Sequence, residues 1–354
     1  MFPVSTAVVH VEENAPATTV VFTANASDAD AGLDGVVRYS IDPGLFVIDT
    51  RSGIVTLIRS LDRETVPAYN VTVRAVDQGT PPRTGSLSLS VVIDDVNDHT
   101  PNCGTSSYVV TVSESVLSGH VIETLRCVDD DDDPSGLNNA LTYAISSSPK
   151  DLFTVDKSGV IRLKDGSTLD RETESSYTIM VTISDQGPKL RLSTTVNISL
   201  IVTDANDNSP NITSLESPTV PENTAPGTTI TSIKASDIDE GVNKQLSFQI
   251  ASGNSDNLFT LNPSNGDLVL QRSLDYEREQ KHVLIVVVQD RGTPARSVSG
   301  TMTVTVSDVN DNPPVCAKSI YNVTVPENST NQRLVTVTCD DLDVTGSVTY
   351  NITL

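Results

Sequence analysis

Three copies of one short acidic segment fix how this chain can be divided. Asp95–Pro101 reads DVNDHTP, Asp204–Pro210 reads DANDNSP and Asp308–Pro314 reads DVNDNPP. Subtracting their starting numbers gives spacings of 109 and 104 residues. That period is the size of one sandwich domain rather than of a solenoid repeat, so 354 residues hold three complete repeats and the start of a fourth. Each complete repeat is large enough to bury its own core. The expected boundaries are 1–98, 99–207, 208–311 and a partial repeat at 312–354. Linkers of carboxylates, amides and a proline have little to pack into a core, so their acids are there to hold something.

Each repeat presents its signals in the same order. An alternating strand ends in glutamate: Val9 and Val11 then Glu13, Val110 and Val112 then Glu114, Val220 then Glu222, Val323 and Val325 then Glu327. An Asp-x-Asp and a turn of small residues follow, at Asp28 and Asp30, Asp129 and Asp131, Asp237 and Asp239, Asp341 and Asp343. Asp129 to Asp133 are all aspartate; placing the first Asp two residues after Cys127, as Asp341 follows Cys339, sets the register there. Two β-rich runs around an Asp or Asn and a Gly predict hairpins over 45–57, 152–163 and 258–270. Acidic triplets come next, Asp62-Arg63-Glu64, Asp170-Arg171-Glu172 and Asp275-Tyr276-Glu277, and two strands close the repeat. In the last strand of the first repeat Leu87, Leu89, Val91 and Ile93 alternate with Ser86, Ser88 and Ser90, a period of two with one face buried. Short strands bounded by Gly, Pro and Asn turns, with no convincing helical stretch, predict an all-β chain of tandem seven-stranded Greek-key β-sandwiches in a linear array.

The formal net charge of −23 and pI near 4.3 disfavour nucleic acid and anionic membrane as partners. Acidic chains poor in aromatics are often disordered, but regular strand patterns and acids clustered at fixed repeat positions argue for a folded cation binder. Cys103 and Cys127 stand 24 residues apart, Cys316 and Cys339 23 apart, at matched places in two repeats. Recurrence of the spacing favours pairing within each repeat, with four free thiols as the alternative. If the first strand runs antiparallel to the second, its start lies beside the other's end and each pair comes within disulfide reach. Disulfides imply an oxidising compartment.

Seven N-x-S/T sequons begin at Asn25, Asn70, Asn197, Asn211, Asn322, Asn328 and Asn351. Asn197 and Asn322 fall on the polar side of predicted strands, where a glycan would face water. No apolar run approaches membrane-spanning length and no signal peptide opens the chain, so direct membrane insertion by this segment is not expected. Met1 reads as the edge of a fragment rather than the start of a natural precursor.

Calcium takes six to eight oxygens in loose geometry from carboxylates, amides and backbone carbonyls. The seam between the first two repeats can gather Glu13, Asp62, Glu64, Asp95, Asn97, Asp98, Asp129, Asp131 and Asp185. Such a cluster repels itself, so the junction should be loose without a cation and stiff with several. Zinc fits poorly, because the ligands are hard oxygens and His10, His99, His120 and His282 form no spaced pair. Magnesium prefers fewer protein oxygens and keeps its waters.

The order of motifs resembles the extracellular cadherin repeat: a strand-end Glu, DxD, DRE or DYE, a late Asp before Gly (Asp77-Gln78-Gly79, Asp185-Gln186-Gly187, Asp290-Arg291-Gly292) and the DxNDN linker. The resemblance covers essentially the whole chain, and it implies three calcium ions at each complete junction. The first junction would use Glu13, Asp62 and Glu64, then Asp95, Val96, Asn97, Asp98 and His99, then Asp129, Asp131, Asn138 and Asp185. The second would use Glu114, Asp170 and Glu172, then Asp204, Ala205, Asn206, Asp207 and Asn208, then Asp237, Asp239, Asn243 and Asp290. The third would use Glu222, Asp275 and Glu277, then Asp308, Val309, Asn310, Asp311 and Asn312, then Asp341 and Asp343. The second and fifth linker positions are expected to offer backbone carbonyls, which makes His99 tolerable where the family has Asn. The third junction lacks the late Asp and the Asn after DxD, which leaves its uppermost ion in question. Asp28, Asp30 and Asp77 would serve a junction with a further repeat, which suggests an internal fragment of a longer array.

With no tryptophan in the chain, the swap of an N-terminal Trp used by some cadherins is excluded, and the resemblance is to protocadherins or very long many-repeat cadherins. The implied function is calcium-dependent cell-cell adhesion or recognition on the extracellular side of the plasma membrane. The implied partner is another cadherin chain, like or unlike, and the full-length protein would be membrane-anchored. The alternative is a spacer rod whose partner site lies in other repeats. Paired carboxylates such as Asp62 and Glu64 could serve a glycosidase, but no G-x-S-x-G, H-E-x-x-H or phosphate-loop pattern accompanies them. Active sites are also rarely installed three times at equal spacing, so an enzyme is not expected.

Overall fold

The computed structural model describes residues 1–344 and 346–353, with the backbone alone at Lys150. Thr345 and Leu354 of the expected partial fourth repeat lie outside the described residues. The chain divides into two compact units, Met1–Thr203 and Asp204–Leu354.

The first unit holds two sandwiches of seven strands each. In the first, β1 (Thr6–Glu12), β7 (Thr84–Asp94), β6 (Ala68–Val76) and β3 (Arg38–Ile41) form one sheet, and β2 (Val20–Thr23), β5 (Ile54–Leu57) and β4 (Phe46–Ile48) the other. In the second, β10 (Thr142–Ser147), β13 (Ser176–Ser184), β14 (Ser193–Thr203) and β8 (Ser107–Ser113) face β11 (Phe153–Val155), β12 (Val160–Leu163) and β9 (Val121–Thr124). Alternation decides the faces: Leu87, Leu89, Val91 and Ile93 of β7 are buried against Val55 and Leu57 of β5 and Val73 of β6. The second core repeats the scheme with Ile179, Val181, Ile198 and Leu200. Burying each such side chain contributes roughly 1.5–3 kcal/mol.

The predicted hairpins form, with Phe46 opposite Leu57 and Phe153 opposite Leu163. In the first hairpin Asp49 accepts the Arg51 and Ser52 N–H groups, and Gly53 closes the turn at φ +69°. A Cβ on Gly53 would lie 2.3 Å from the Ala24 carbonyl, so no other residue fits without displacing the neighbouring strand.

The second unit repeats the plan. Strands β16 (Thr219–Pro221), β23 (Ser297–Ser307), β22 (Lys281–Gln289) and β19 (Ser247–Ser252) form one sheet, and β17 (Thr229–Ser232), β21 (Asp267–Leu270) and β20 (Phe259–Leu261) the other. Its core gathers Leu268, Leu270, Leu284, Val286 and Val304. Phe259 stacks edge-on against buried His282 at 5.5 Å, where the first two sandwiches pair Phe46 with Tyr69 and Phe153 with Tyr177 at 5.7 Å.

In the second and third repeats the first strand has two partners, and the sequence pattern foretold only one. Its beginning runs antiparallel to the end of the second strand. An Asn102–Val128 bridge does this in the second sandwich, and β15 (Asn211–Ser214) paired with β18 (Lys234–Ser236) does so in the third. The same arrangement sets Cys103 beside Cys127, and β24 (Val315–Cys316) beside β25 (Cys339–Asp340); both pairs are disulfide-bonded. The rest of the first strand crosses to the other sheet and pairs parallel with the last strand, Val9 opposite Val91, Val110 opposite Leu200 and Val220 opposite Val306. That crossing carries the glutamate at the end of the first strand to the start of the following linker. Glu13 N–H donates to the Asp94 carbonyl at 3.0 Å.

In the partial fourth repeat the predicted strand through Val323 and Val325 does not form, and both side chains are exposed. The reason is the pairing just described: a first strand needs its own last strand, and the described residues after Pro314 include no such partner. Among the described residues no helix is long and apolar enough to cross a membrane.

Candidate cation sites at the linkers

Each site begins with the strand-end glutamate. Glu13 is 2% exposed; one oxygen accepts Arg63 N–H at 2.7 Å and the other accepts Val96 N–H at 2.8 Å. A single carboxylate thus ties the acidic-triplet turn to the linker. Glu222 does the same with Tyr276 N–H and Val309 N–H, both at 2.7 Å, and Glu114 accepts Arg171 N–H at 2.6 Å. The triplets are single helical turns closed by their first residue: Asp62 accepts the Thr65 N–H and hydroxyl, and Asp170 those of Thr173. The Thr65 hydroxyl holds the Asp62 carboxyl below its ordinary pKa. Glu13, Glu64 and Asp95 then each bring a carboxylate oxygen within 4.8 Å of the other two.

The linker asparagine locks onto the late aspartate. Asn97 Nδ2 donates to Asp185 at 3.1 Å and to the Leu190 carbonyl at 2.8 Å. Asp185 is fully buried and also accepts Gly187 and Leu192 N–H. A Cβ on Gly187 would lie 2.4 Å from Asn97 Nδ2, which is the physical reason for glycine in the D-x-G motif. In the second unit Asn206 makes the same pair of bonds to Asp290 and the Pro294 carbonyl, over Gly292.

All four Asp-x-Asp segments share one turn, in which the first carboxylate accepts the N–H of the second. It appears as Asp30 to Asp28, Asp131 to Asp129, Asp239 to Asp237 and Asp343 to Asp341. The five-aspartate run therefore takes the register inferred from Cys127. The third, fourth and fifth of those aspartates have distinct settings. Asp131 is fully buried, Asp132 donates its N–H to Asp95, and Asp133 accepts the N–H groups of Ser135, Leu137 and Asn138. Despite partial burial, those donors hold Asp133 down at about 2. Its loop aims Asn138 at Asp95 at 2.5 Å; Asn243 meets Asp204 in the same way at 2.7 Å.

His99, expected to offer its backbone carbonyl, also has a ring that takes part in the cluster. Its ring enters the acid cluster, with Nδ1 at 2.8 Å from Asp98, 3.2 Å from Asp131 and 3.9 Å from Glu64. Burial lowers the pKa of the ring, but the Asp131 hydrogen bond and the Asp98 charge outweigh it and raise the ring above its ordinary value. Arg63 brings a second cation to the cluster, one that the sequence motifs did not single out. Its guanidinium reaches Asp95 at 3.5 Å and Asp132 at 3.2 Å. The acidic run on the facing loop was the available signal.

These acids are held against their own charge. Burial, with help from neighbouring Glu13, pushes Glu64 up to about 7; burial, with Asp129 and Asp95 nearby, pushes Asp131 up to about 6. Burial raises Asp129 as well. Oxygens of Glu64, Asn97, Asp129 and Asn138 at the first linker are buried with no hydrogen-bond partner, as are oxygens of Asn206, Asp237, Asp239 and Glu277 in the second unit. Buried polar atoms are nearly always paired, and each orphan here belongs to a residue assigned to a ligand set from the sequence. Hard oxygens that are buried, unpaired and gathered from both sides of a linker fit an oxygen-preferring divalent cation.

The third linker has the lower half of this design. Glu222, Asp275 and Glu277 approach within 4.8 Å, and Asp343, 4% exposed, accepts the backbone and side-chain N–H groups of Asn312. Burial and the charges of Glu222 and Asp343 raise Asp311. Among the described residues it has no counterpart of Asn138 or Asp185. All seven sequon asparagines are exposed, including Asn197 on the outward face of β14.

Tandem sandwiches and carboxylate-lined linkers define a modular all-β repeat protein. A cadherin-domain sequence profile matches residues 7–94, 108–201 and 216–307, and the chain belongs to the cadherin family. It is 36% identical over 345 residues to protocadherin Fat 4 of Mus musculus, covering 95% of this chain and 7% of that protein. It is 37% identical over 324 residues to cadherin-23 of Mus musculus, covering 89% of this chain and 10% of that protein. The chain therefore spans a small fraction of the length of the curated relatives it matches. Among solved structures, protocadherin gamma B2 extracellular cadherin domains 1-5 superposes with a TM-score of 0.83 at 31% identity, covering 97% of this chain and 66% of that one. Mouse cadherin-23 EC22-24 gives 0.74 at 30% identity, covering 87% and 98%.

Proposed function

We propose that this chain is a calcium-stiffened extracellular segment of a cell-surface adhesion or recognition protein, with repeats at 1–98, 99–207, 208–311 and a partial 312–354. The partner is another cadherin chain, and the parent protein is anchored in the membrane. Glycans at the seven exposed sequons fit that placement. Calcium binds the acids around the first and third linkers, about three ions at a complete junction. Asp170, Glu172 and Glu114 at the end of the first unit, and Asp204, Asn206, Asp237, Asp239, Asn243 and Asp290 at the start of the second, stand in the same local settings and belong to the same chemistry.

The single observation that carries this reading is the set of buried, unpaired oxygens on the assigned residues. Calcium supplies the charge that these oxygens lack. Glu13 and Glu64 from one sandwich, the linker acids, and Asp129, Asp131 and Asp185 from the next then share ions instead of repelling one another. Two unit charges 4 Å apart repel by about 4 kcal/mol at an effective dielectric constant of 20, so the metal-free linker is pushed open. A joint held shut in this way keeps a recognition surface at a fixed distance and orientation.

Calcium titration followed by thermal melting tests the reading. Each occupied site should stabilise the fold by about 2.7 kcal/mol at a calcium concentration 100 times its Kd. An unchanged melting temperature between chelator and millimolar calcium removes the proposal.

A further inference from the structure

The start of the first strand is tied to the end of the second strand differently in the second and third sandwiches. In the third the tie is a ladder, with Asn211 opposite Ser236, Ile212 opposite Ala235 and Ser214 opposite Lys234. In the second it is the single Asn102–Val128 bridge, closed by two N–H to carbonyl bonds of 2.8 and 2.9 Å. Gly104, at φ +74°, then donates its N–H to the Asn102 side chain at 2.8 Å and turns the chain away. The next pair in register, Ile212 with Ala235 in the third sandwich, is here Cys103 with Cys127, joined covalently. A disulfide thus stands where the longer ladder is missing.

The two segments it joins are the ones that bring acids to the first linker from both sides. Cys103 follows Asp98 by five residues, and Cys127 precedes Asp129 by two. Nearer the acids these segments meet through hydrogen bonds, the His99 N–H donating to Asp131 at 3.2 Å and the Asp132 N–H to Asp95 at 3.0 Å. Asp95, Asp98, Asp129 and Asp131 carry like charge, which works against those contacts. The disulfide holds the same two segments without using charge.

We propose that the Cys103–Cys127 disulfide positions the upper half of the first linker's cation site, so that its reduction lowers the calcium affinity of that linker selectively. This rests on the calcium reading and adds redox control to it. With the disulfide closed, Asp129 and Asp131 are held against the linker before a cation arrives, and little binding free energy goes into ordering the loop over 129–138. With it open, one two-bond bridge must hold the segments against their own repulsion, and ordering them falls to the cation. A dithiol reductant can approach Cys103 from a recess of about 500 Å³ lined by residues 98–106, Asp130 and Thr194. Its thiolate attacks one cysteine sulfur, and the other cysteine leaves as a thiolate that takes up a proton. The second thiol of the reagent then closes its own disulfide ring and releases the first cysteine as a thiol. Two electrons pass to the protein, and the dithiol departs as a cyclic disulfide.

The test follows amide hydrogen exchange in the whole 354-residue chain by mass spectrometry across a calcium titration, because exchange reports the opening of each loop separately. In the disulfide-bonded chain, loops 129–138 and 237–243 should both gain protection as calcium rises. Cys103→Ile and Cys127→Ala together install the pair that the third sandwich uses. In that variant the calcium midpoint for 129–138 should rise by ~10-fold, part of what a disulfide-closed loop can supply. The midpoint for 237–243 should stay where it was. Reducing the unsubstituted chain with a dithiol should reproduce both results, and reoxidation should restore the first midpoint. Exchange in β13 and β14 shows whether the sandwich itself stays folded. The proposal is overturned if the 129–138 midpoint is unchanged, or if both midpoints rise together. It is also overturned if β13 and β14 lose their protection, which would make the disulfide a brace of the core. Failure of the calcium reading looks different, since neither loop of the disulfide-bonded chain would then respond to calcium at all.

Discussion

The interior of the first sandwich and the linker that follows it are buried to a similar depth and made of opposite materials. Val55, Val73, Leu89 and Val91 have no exposed surface, and their backbones pair in the sheet ladders. Around the linker Asp131 and Asp185 are equally inaccessible, and oxygens of Glu64, Asp129 and Asn138 are buried without donors. A hydrocarbon core is complete once the chain has folded. Folding leaves oxygens at the linker buried without donors, so under the proposed reading the stability of one protein should separate into a ligand-independent part and a ligand-dependent part.

The largest effect should come from the core. Leu89→Ala is expected to cost about 2–5 kcal/mol, equally in calcium and in chelator, as read by calorimetric melting. A cost that shrinks when calcium is present would mean that the two regions are not separable. Asp131→Asn sharpens the contrast from the other side. In calcium it should lose about 1.5–3 kcal/mol, the worth of a charged buried interaction. In chelator it should be neutral or slightly stabilising, because one of several crowded negative charges is gone. Equal destabilisation in both conditions would make Asp131 a structural residue only.

The smallest effect is a dependence on pH. In the folded, metal-free chain Glu64 is raised from 4.5 to about 7 and Asp131 from 3.8 to about 6, so between these limits the native state binds more protons than the unfolded one. Stability in chelator should therefore fall as pH rises through that window. Glu64→Gln should flatten its share of the slope. With calcium present the sign reverses, because protons compete with the metal for the same oxygens and raising the pH favours binding. A melting temperature in chelator that rises between about pH 5 and pH 7, with Glu64→Gln unchanged from wild type, would contradict the assigned charge crowding.

Much of this was legible in the residues. The period-two alternation of β7, the Asp49 and Gly53 turn, and the register of the five-aspartate run are local patterns, and local patterns survive without a partner. The parallel pairing of first and last strands was not legible, because residues some 80 positions apart must meet and nothing in either strand names the other. The same dependence explains why Val323 and Val325 alternate correctly and still form no strand. The direction of the His99 ring was not legible for a different reason: a backbone carbonyl role is sufficient to account for the residue's position, and only the fold turns its ring toward Asp131.

The sequence by itself determined where the acids stand, how often they recur, and which side chains have an apolar face to bury. Those follow from composition and spacing along one dimension. Tertiary structure decided which of the acids lose their water and find no donor in exchange, because that depends on what the crossing first strand, the Asp133 loop and the linker bring together. Charge was written into the chain, and the need for a counter-charge arose only on folding.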